Sequence, residues 1–195
     1  MVLMVKKQIQ YFSHSGVQNT QDVLNTVKEK IQELGIKYVV IASSSGITGL
    51  NLWTELQNSD CKLISVTEHS GFYGKDATAL TEKRKNEMES KGIKVLTASH
   101  SFSGIGRSIS KKIGGVNQLE IIAQTLRLFS EGIKVAVEIS IMAADSGLVP
   151  TYEEIIAIGG SGSGADSAIV LKAAHMNNFF DLEIREIIAK PRQRL

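Results

Sequence analysis

Apolar residues along the chain follow two alternating patterns, one with a helical period and one nearly uninterrupted. The first helix is predicted from Asn19 or Thr20 to Leu34, because its apolar residues form one stripe: Leu24, Val27, Ile31 and Leu34. Gly35 follows, in the position where a left-handed glycine commonly ends a helix. Residues 36–42 are then predominantly apolar, which is typical of a strand covered on both faces.

The same alternation continues through the middle of the chain. Helices are predicted over residues 46–57, 77–91 and 115–132, and strands over residues 62–67 and 93–98. The helix at 115–132 carries one apolar face: Leu119, Ile122, Leu126 and Phe129. Residues 133–150 are ambiguous, because a β-branched beginning is followed by an Ala- and Met-rich part that precedes Gly147 and Pro150. We favour a buried helix for this segment.

The last third of the chain predicts three strands, at residues 153–160, 167–174 and 182–190. The glycine- and serine-rich segment between the first two is too short for a crossover helix, so these strands are expected to be antiparallel. The predicted fold is a single α/β domain over residues 1–195. It has three layers: a mostly parallel twisted sheet, partly antiparallel at its C-terminal end, with helices on both faces.

Composition and charge narrow the class of protein. The chain has 195 residues, of which 43% are hydrophobic and 22% charged, enough for one sizeable core. The net charge of +2 is too small for the basic surface of a nucleic-acid-binding protein. The single cysteine excludes an intramolecular disulfide and fits a reducing compartment. With neither an 18-residue apolar run nor a signal-peptide pattern, we expect a cytoplasmic protein that binds neither nucleic acid nor membrane.

Small polar residues and glycine follow four of the predicted strands, in the segments ASSSGIT, VTEHSG, TASHSFSG and IGGSGSGADS. Ligands of doubly wound sheets bind outside the carboxyl ends of the strands. Because parallel strands place those ends at one edge of the sheet, the four segments are expected to surround one pocket.

The first of these segments is the strongest candidate for binding an anion. It runs from a strand into a helix, whose free N–H groups and dipole favour a phosphate. Hydroxyl groups of Ser43, Ser45 and Thr48 would add hydrogen bonds. The alternative is a serine-capped turn without a ligand. The candidate binding residues are Ser43, Ser44, Ser45, Gly46, Ile47 and Thr48.

The glycine-rich segment near the C terminus is the second candidate, and its residues are Gly160, Ser161, Gly162, Ser163 and Gly164. With Ala165 it fits a relaxed dinucleotide fingerprint, but no amphipathic helix follows, as that fingerprint requires. A flexible hairpin loop is the alternative. As a cover over a phosphate-bearing ligand the segment would still be functional.

Other polar candidates come from the remaining strand ends. His69 and His100, on adjacent segments, are expected to line the ligand as ring hydrogen-bond donors. Arg107 is the most suitable guanidinium for a phosphate or carboxylate, the alternative being an ordinary surface arginine. We predict no metal site, since no Cys/His spacing of a metal site is present. The segment SISK (residues 108–111) matches the SxxK motif of acyl-transfer enzymes, but the SDN and KTG motifs that accompany it in those enzymes are absent. Without a nucleophile paired to a base, catalytic residues are unknown and enzymatic activity is left open.

Longer stretches resemble a known family. The segment KYVVIASSSGITGLNLWTELQNSDCKLISVTEH resembles the C-terminal regulatory domain of pyruvate kinases, and the likeness extends over roughly residues 15–175. The resemblance implies that the serine segment is a phosphate loop and that Thr67 ends the neighbouring strand beside it. Pyruvate kinase activity is not expected, because the catalytic barrel of those enzymes is missing. Ile47 stands where many sugar-bisphosphate loops have a basic or polar residue.

A closer resemblance, over nearly the whole chain, is to stand-alone proteins of the pyruvate-kinase-C-terminal-like type. It rests on the phrases HSFSGIGRSISKKIGGV, MAADSGLVP, AIGGSGSGADSA and NFFDLEIREIIAKPR. This resemblance implies a site for flavin mononucleotide (FMN) with no established reaction. The alternative is a non-catalytic regulatory module that senses a phosphorylated metabolite such as a sugar phosphate, with homo-oligomer contacts. A metal-dependent hydrolase that uses the histidines is a third hypothesis.

Overall fold

The structure is a computed structural model that describes residue 4 and residues 6–193. Its strands are β1 (Gln10–Phe12), β2 (Tyr38–Ala42), β3 (Lys62–Glu68), β4 (Lys94–Ala98), β5 (Glu154–Gly159), β6 (Ser167–Lys172) and β7 (Glu183–Pro191). Its α-helices are α1 (Thr20–Leu34), α2 (Ile47–Leu56), α3 (Glu82–Ser90), α4 (Gly104–Ile113), α5 (Gln118–Arg127) and α6 (Glu131–Asp145). Short 3₁₀ helices cover Val17–Asn19 and Met176–Asp181. Among the described residues no helix is long and apolar enough to span a membrane.

The strands form one sheet in the order β1-β7-β6-β5-β2-β3-β4. Strand β6 is antiparallel to both of its neighbours, and every other pairing is parallel. Alternate residues of β2 enter different cores: Val39 and Ile41 pack with α1, α2 and α3, whereas Val40 packs with α5 and α6. The prediction of a three-layer, mostly parallel sheet with an antiparallel C-terminal part is therefore confirmed.

The ambiguous segment is helix α6, as favoured from its composition. Its first turn is capped by Ser130, whose hydroxyl accepts a hydrogen bond from the Ile133 N–H at 2.9 Å. Nearly all of α6 is buried, which explains why its residues show no polar face. The chain stops being helical between Arg127 and this cap, so the predicted helix over 115–132 was too long. Phe129 lies outside it with a 49% exposed side chain.

Other boundaries also differ from the predictions. Helix α3 begins at Glu82 rather than near residue 77, because Thr81 caps it by accepting from the Arg84 N–H. Neither Asn19 nor Thr20 caps α1, since both side chains donate instead to carbonyl groups of the preceding turn. The short strand β1 and the helix α4 were not predicted. Gly35 ends α1 in the left-handed conformation, as expected.

The connections around β2 and β5 create the crevice in which a ligand is expected. These strands are neighbours and parallel, so their carboxyl ends lie side by side. The chain leaves β2 through α2 on one face of the sheet and reaches β5 through α6 on the other face. Ligands of open α/β sheets bind at such a point of divergence.

The fold predicts a large stability loss when the central strand β5 is truncated. Ile156 is fully buried, and Ile156→Ala is expected to lower the free energy of unfolding by about 2–5 kcal/mol, since it leaves a cavity. Ile105→Ala, at a side chain that is 80% exposed, is the control and should change stability by less than about 0.5 kcal/mol. Urea unfolding of both variants measures the difference. Equal effects would contradict the assigned core.

Candidate functional site

A cavity of about 610 Å³ lies at the carboxyl edge of β2, β3 and β5, in the size range of small-molecule sites. Residues from both faces of the sheet line it. The starts of α1 and α2 contribute from one side, and α6 contributes from the other with residues between Glu131 and Met142. The serine segment after β2, the glycine-rich segment after β5, Phe72, His100 and Arg107 complete its wall.

The three serine hydroxyls after β2 have different roles. The Ser43 hydroxyl accepts a hydrogen bond from the Gly49 N–H at 3.1 Å and so caps α2 from inside. The Ser44 hydroxyl donates to the Glu68 carboxylate. In the described part of the chain, Ser45 and Thr48 are the two residues of this segment whose hydroxyls have no partner. Their hydroxyl hydrogens are available to an anion, and so is that of Ser43, because the bond that Ser43 accepts leaves its own hydrogen free.

The main-chain N–H groups of this segment form a more complete donor set. Among the described residues, the N–H groups of Ser44, Ser45, Ile47 and Thr48 have no acceptor. Two carbonyls of the segment accept from other elements: Thr67 donates to the Ser44 carbonyl at 3.1 Å, and Arg84 donates to the Ser45 carbonyl at 3.0 Å. These bonds anchor the segment and leave its amides free at the start of α2.

Gly46 has a conformational rather than a binding role. It adopts the left-handed conformation, with φ 84° and ψ −11°, and does not line the cavity. A Cβ atom here would lie 2.8 Å from the Met88 sulfur and 2.9 Å from a Leu80 methyl group. The prediction that Gly46 lies at the ligand therefore needs correction, because its Cα faces α3. Any larger residue would strain the segment.

The glycine-rich segment forms part of the cavity wall through Gly160, Gly162, Ser163 and Gly164. Ser161 lies outside this cavity and lines a smaller one of about 330 Å³ beside α5. A strand, β6, follows the segment, so it is a hairpin connection and not a dinucleotide-binding turn.

The same segment is tied to the start of α1. The buried Asp166 carboxylate accepts from the N–H groups of Ser161 and Gly16, both at 3.1 Å. The Ala165 N–H donates to the Thr20 hydroxyl at 3.0 Å. A Cβ atom on Gly164 would lie 2.3 Å from that hydroxyl, so glycine is needed for the close approach. The segment is thereby held as a wall of the cavity.

The two predicted histidines occupy different positions. His100 lines the cavity, whereas His69 lies behind it, with its ring centre 6.0 Å from that of His100. The Nδ1 atoms of both are buried and have no partner in the described structure. Burial is the main reason why the pKa of His100 lies below its ordinary value of 6.5, although the nearby Glu138 carboxylate opposes the shift. The His100 ring is therefore neutral at pH 7.

Phe72 is a cavity residue that sequence reasoning missed. Its ring centre lies 4.9 Å from that of His100, and the Arg107 guanidinium carbon lies 5.5 Å from the same ring. Phe72 thus holds both polar candidates by ring contacts. In the sequence, an aromatic residue directly after the polar segment VTEHSG could have indicated this role.

A buried ion pair on α6 was also missed as part of the site. Lys134 and Glu138 both line the cavity, yet they are only 5% and 1% exposed. Their side chains form an ion pair at 2.5 Å, and the second Glu138 oxygen accepts from the Phe102 N–H at 2.9 Å. Glu138 is thus an internally paired acid. In the sequence, a Lys and a Glu four residues apart in an otherwise apolar segment could have indicated this pair.

The comparison with known protein families agrees with this architecture. A family model described as pyruvate kinase, alpha/beta domain, matches residues 21–171. The chain belongs to the pyruvate kinase alpha/beta domain family. The matched residues extend from α1 to β6 and include both loop segments of the cavity, while β1 and β7 lie outside them. The family assignment confirms the fold that the resemblance implied.

Across residue 4 and residues 6–193, no group of three or more His, Cys, Asp or Glu side chains is arranged to hold a metal ion. His14 and His175 line none of the cavities described above.

Glu68 is the acidic group next to the serine segment. Its carboxylate accepts from the hydroxyls of Ser44 and Tyr73 and shares the Thr67 hydroxyl hydrogen with the Ser44 carbonyl. Burial alone would raise the pKa of Glu68, but these hydrogen bonds more than offset burial and bring the pKa below its ordinary value of 4.5. The group is therefore a carboxylate at neutral pH and an acceptor facing the cavity.

The lowered pKa of Glu68 predicts a pH-dependent contribution to stability. A carboxyl whose pKa is lower in the folded state stabilises the fold above its unfolded pKa of about 4.5, and this stabilisation is lost as pH falls through the folded value. Glu68→Gln is therefore expected to destabilise at pH 7, and its difference from the unsubstituted protein should narrow at about pH 3.5. Urea unfolding at both pH values measures this. Glu87→Gln, at an exposed position on α3, is the control; a Glu68 difference that widened in acid would contradict the assignment.

Proposed function

We propose that this protein binds a phosphate-bearing nucleotide, preferentially FMN, at the carboxyl edge of its sheet. The observation that carries the proposal is the set of four unpaired amides at the start of α2, on Ser44, Ser45, Ile47 and Thr48. Converging N–H groups and the positive end of a helix dipole are the usual protein environment of a phosphate group. The free hydroxyls of Ser45 and Thr48 complete this donor set.

The rest of the cavity has the chemistry that FMN requires. Polar side chains beside the amides suit the hydroxyls of a ribityl chain: Gln21, Asn51 and the Glu68 carboxylate. The Glu68 carboxylate would repel a bare phosphate, whereas a sugar-alcohol chain has hydroxyls to donate to it. Farther along, aromatic and apolar residues suit a flat ring: Phe72, His100, Val135, Ile139 and Met142. Bound FMN would supply redox chemistry at that ring.

The alternative function is a regulatory module that senses a phosphorylated metabolite, and Arg107 favours it. No carboxylate pairs with this guanidinium among the described residues, so it offers a second anion-binding group within the same cavity. A sugar bisphosphate would use the amides and Arg107 together. Such a module would act through contacts between copies, and the homo-oligomer and the cytoplasmic location both stay predictions from the sequence.

The phosphate assignment predicts a selective effect of Thr48→Val. This change removes a hydroxyl and keeps the shape, so FMN affinity should fall about 10-fold or more, as expected for a hydrogen bond of ~1.5–3 kcal/mol to a charged group. Riboflavin, which lacks the phosphate, should bind both proteins equally. Quenching of flavin fluorescence measures both affinities. Thr54→Val, on the exposed side of the same helix, is the matched control and should leave both unchanged.

Three outcomes separate the two functions. Saturable FMN binding with the expected Thr48 effect supports the nucleotide site. Thermal stabilisation by a sugar bisphosphate, without any flavin binding, supports the regulatory module. Equal loss of FMN and riboflavin in Thr48→Val would contradict the phosphate assignment.

A further inference from the structure

Burying the Lys134–Glu138 ion pair of α6 costs free energy of folding, and good packing alone does not explain why the pair is there. Removing two charges from water is expensive, and an apolar pair of similar volume is often as stable or more stable. Lys134 and Glu138 are nevertheless almost completely buried on a helix whose other residues are mainly apolar. Both line the cavity, so the pair lies where it can meet a ligand.

Of the two side chains in the pair, Glu138 has all the hydrogen bonds it needs, whereas Lys134 does not. Glu138 is satisfied, because one oxygen accepts from Lys134 and the other from the Phe102 N–H. A lysine ammonium has three N–H donors, and Glu138 takes one of them. Among the described residues no other atom accepts from Lys134, and the Phe102 ring, 5.9 Å away, offers only a weak π contact. Two buried donors therefore need an acceptor.

Arg107 is a second cation that lines the cavity, and it pairs with no carboxylate among the described residues. It is held against the Phe72 ring, which also contacts His100. The other cavity arginine, Arg127, is already paired with Glu120 and Glu131. The third carboxylate of the cavity, Glu68, is occupied by hydroxyl donors. Among the described residues, Arg107 and Lys134 are thus the cavity cations that keep free donors, and both lie close enough to His100 to lower the pKa of its ring.

We propose that this end of the cavity is a binding site for a small organic acid that carries an oxygen next to its carboxylate, a 2-hydroxy or 2-oxo acid. The Arg107 guanidinium binds the carboxylate, as arginine commonly does in a bidentate manner. The Lys134 ammonium, oriented by Glu138, donates to the adjacent oxygen. The site uses none of the amides at the start of α2, but it lies at the end of the cavity that the nucleotide proposal gives to the flavin ring.

The test uses the unsubstituted protein without FMN and the acid glycolate as its probe. Protein signals in two-dimensional ¹H–¹⁵N NMR are followed while glycolate, oxalate or acetate is added at constant ionic strength. Glycolate should shift signals of residues 100–107 and 134–138 in a saturable manner. It should bind about 10-fold more tightly than acetate, which lacks the second oxygen and so loses one charge-assisted hydrogen bond. Absence of saturable binding, or equal affinity for acetate, would overturn the proposal.

Two variants assign the contacts. Arg107→Gln, at an exposed position, should weaken glycolate and acetate alike, since both carry the carboxylate. The double variant Lys134→Met/Glu138→Met replaces the pair by apolar residues, so the fold should be retained while the preference for glycolate is lost. Lys172→Met, at the opposite edge of the sheet, is the control. A preference that persisted in the double variant would refute the role of Lys134. If the double variant did not fold, the comparison of glycolate with acetate and the Arg107 variant would still decide.

Failure of this proposal is distinguishable from failure of the nucleotide site. Flavin quenching is measured separately on the same protein. FMN binding without acid binding overturns only the acid site, and acid binding without FMN binding overturns only the nucleotide site.

Discussion

The hydrogen bonds around the start of α2 determine what the cavity can hold. The Ser43 hydroxyl binds the Gly49 N–H, while Thr67 and Arg84 bind the carbonyls of Ser44 and Ser45. The carbonyls of Ser44 and Ser45 are therefore engaged by other elements, while the Ser43 carbonyl accepts from the Gly46 N–H. Four main-chain N–H groups at the start of α2 have no partner among the described residues, and this donor set is the basis of the proposed phosphate site.

The topology of the sheet brings that donor set opposite a second polar surface. Because α2 and α6 lie on different faces, the space between the ends of β2 and β5 is bounded by the start of one helix and the side of the other. One end of the cavity thus offers main-chain amides and the other offers side-chain cations. An elongated ligand, or two ligands side by side, would satisfy both ends.

Much of the fold could be predicted because it follows from local periodicity. Continuous apolar runs indicated the central strands, and an apolar stripe indicated α1. Two elements escaped prediction for physical reasons. Strand β1 has only three residues, too few for a periodic signal, and it is a strand because it pairs with the distant β7. Helix α4 buries none of its residues, so its apolar positions do not mark a core-facing side.

The site was predicted less completely than the fold. The serine and glycine-rich segments could be recognised because small residues and glycine act through their own backbone. The position of His69 behind the cavity could not be predicted, because it depends on ring contacts with Phe72 and His100. The Lys134–Glu138 pair was visible as spacing, but its link to Phe102, 36 residues away, was not.

The sequence alone determined where the serine segment turns from β2 into α2, because a strand, a left-handed glycine and a helix start are local properties of the backbone. Only the tertiary structure decided which donors stay free. Glu68 takes the hydroxyl of Ser44, and Arg84 takes the carbonyl of Ser45. These partners come from β3 and α3, and a hydrogen bond between segments distant in the chain exists only once packing has brought them together.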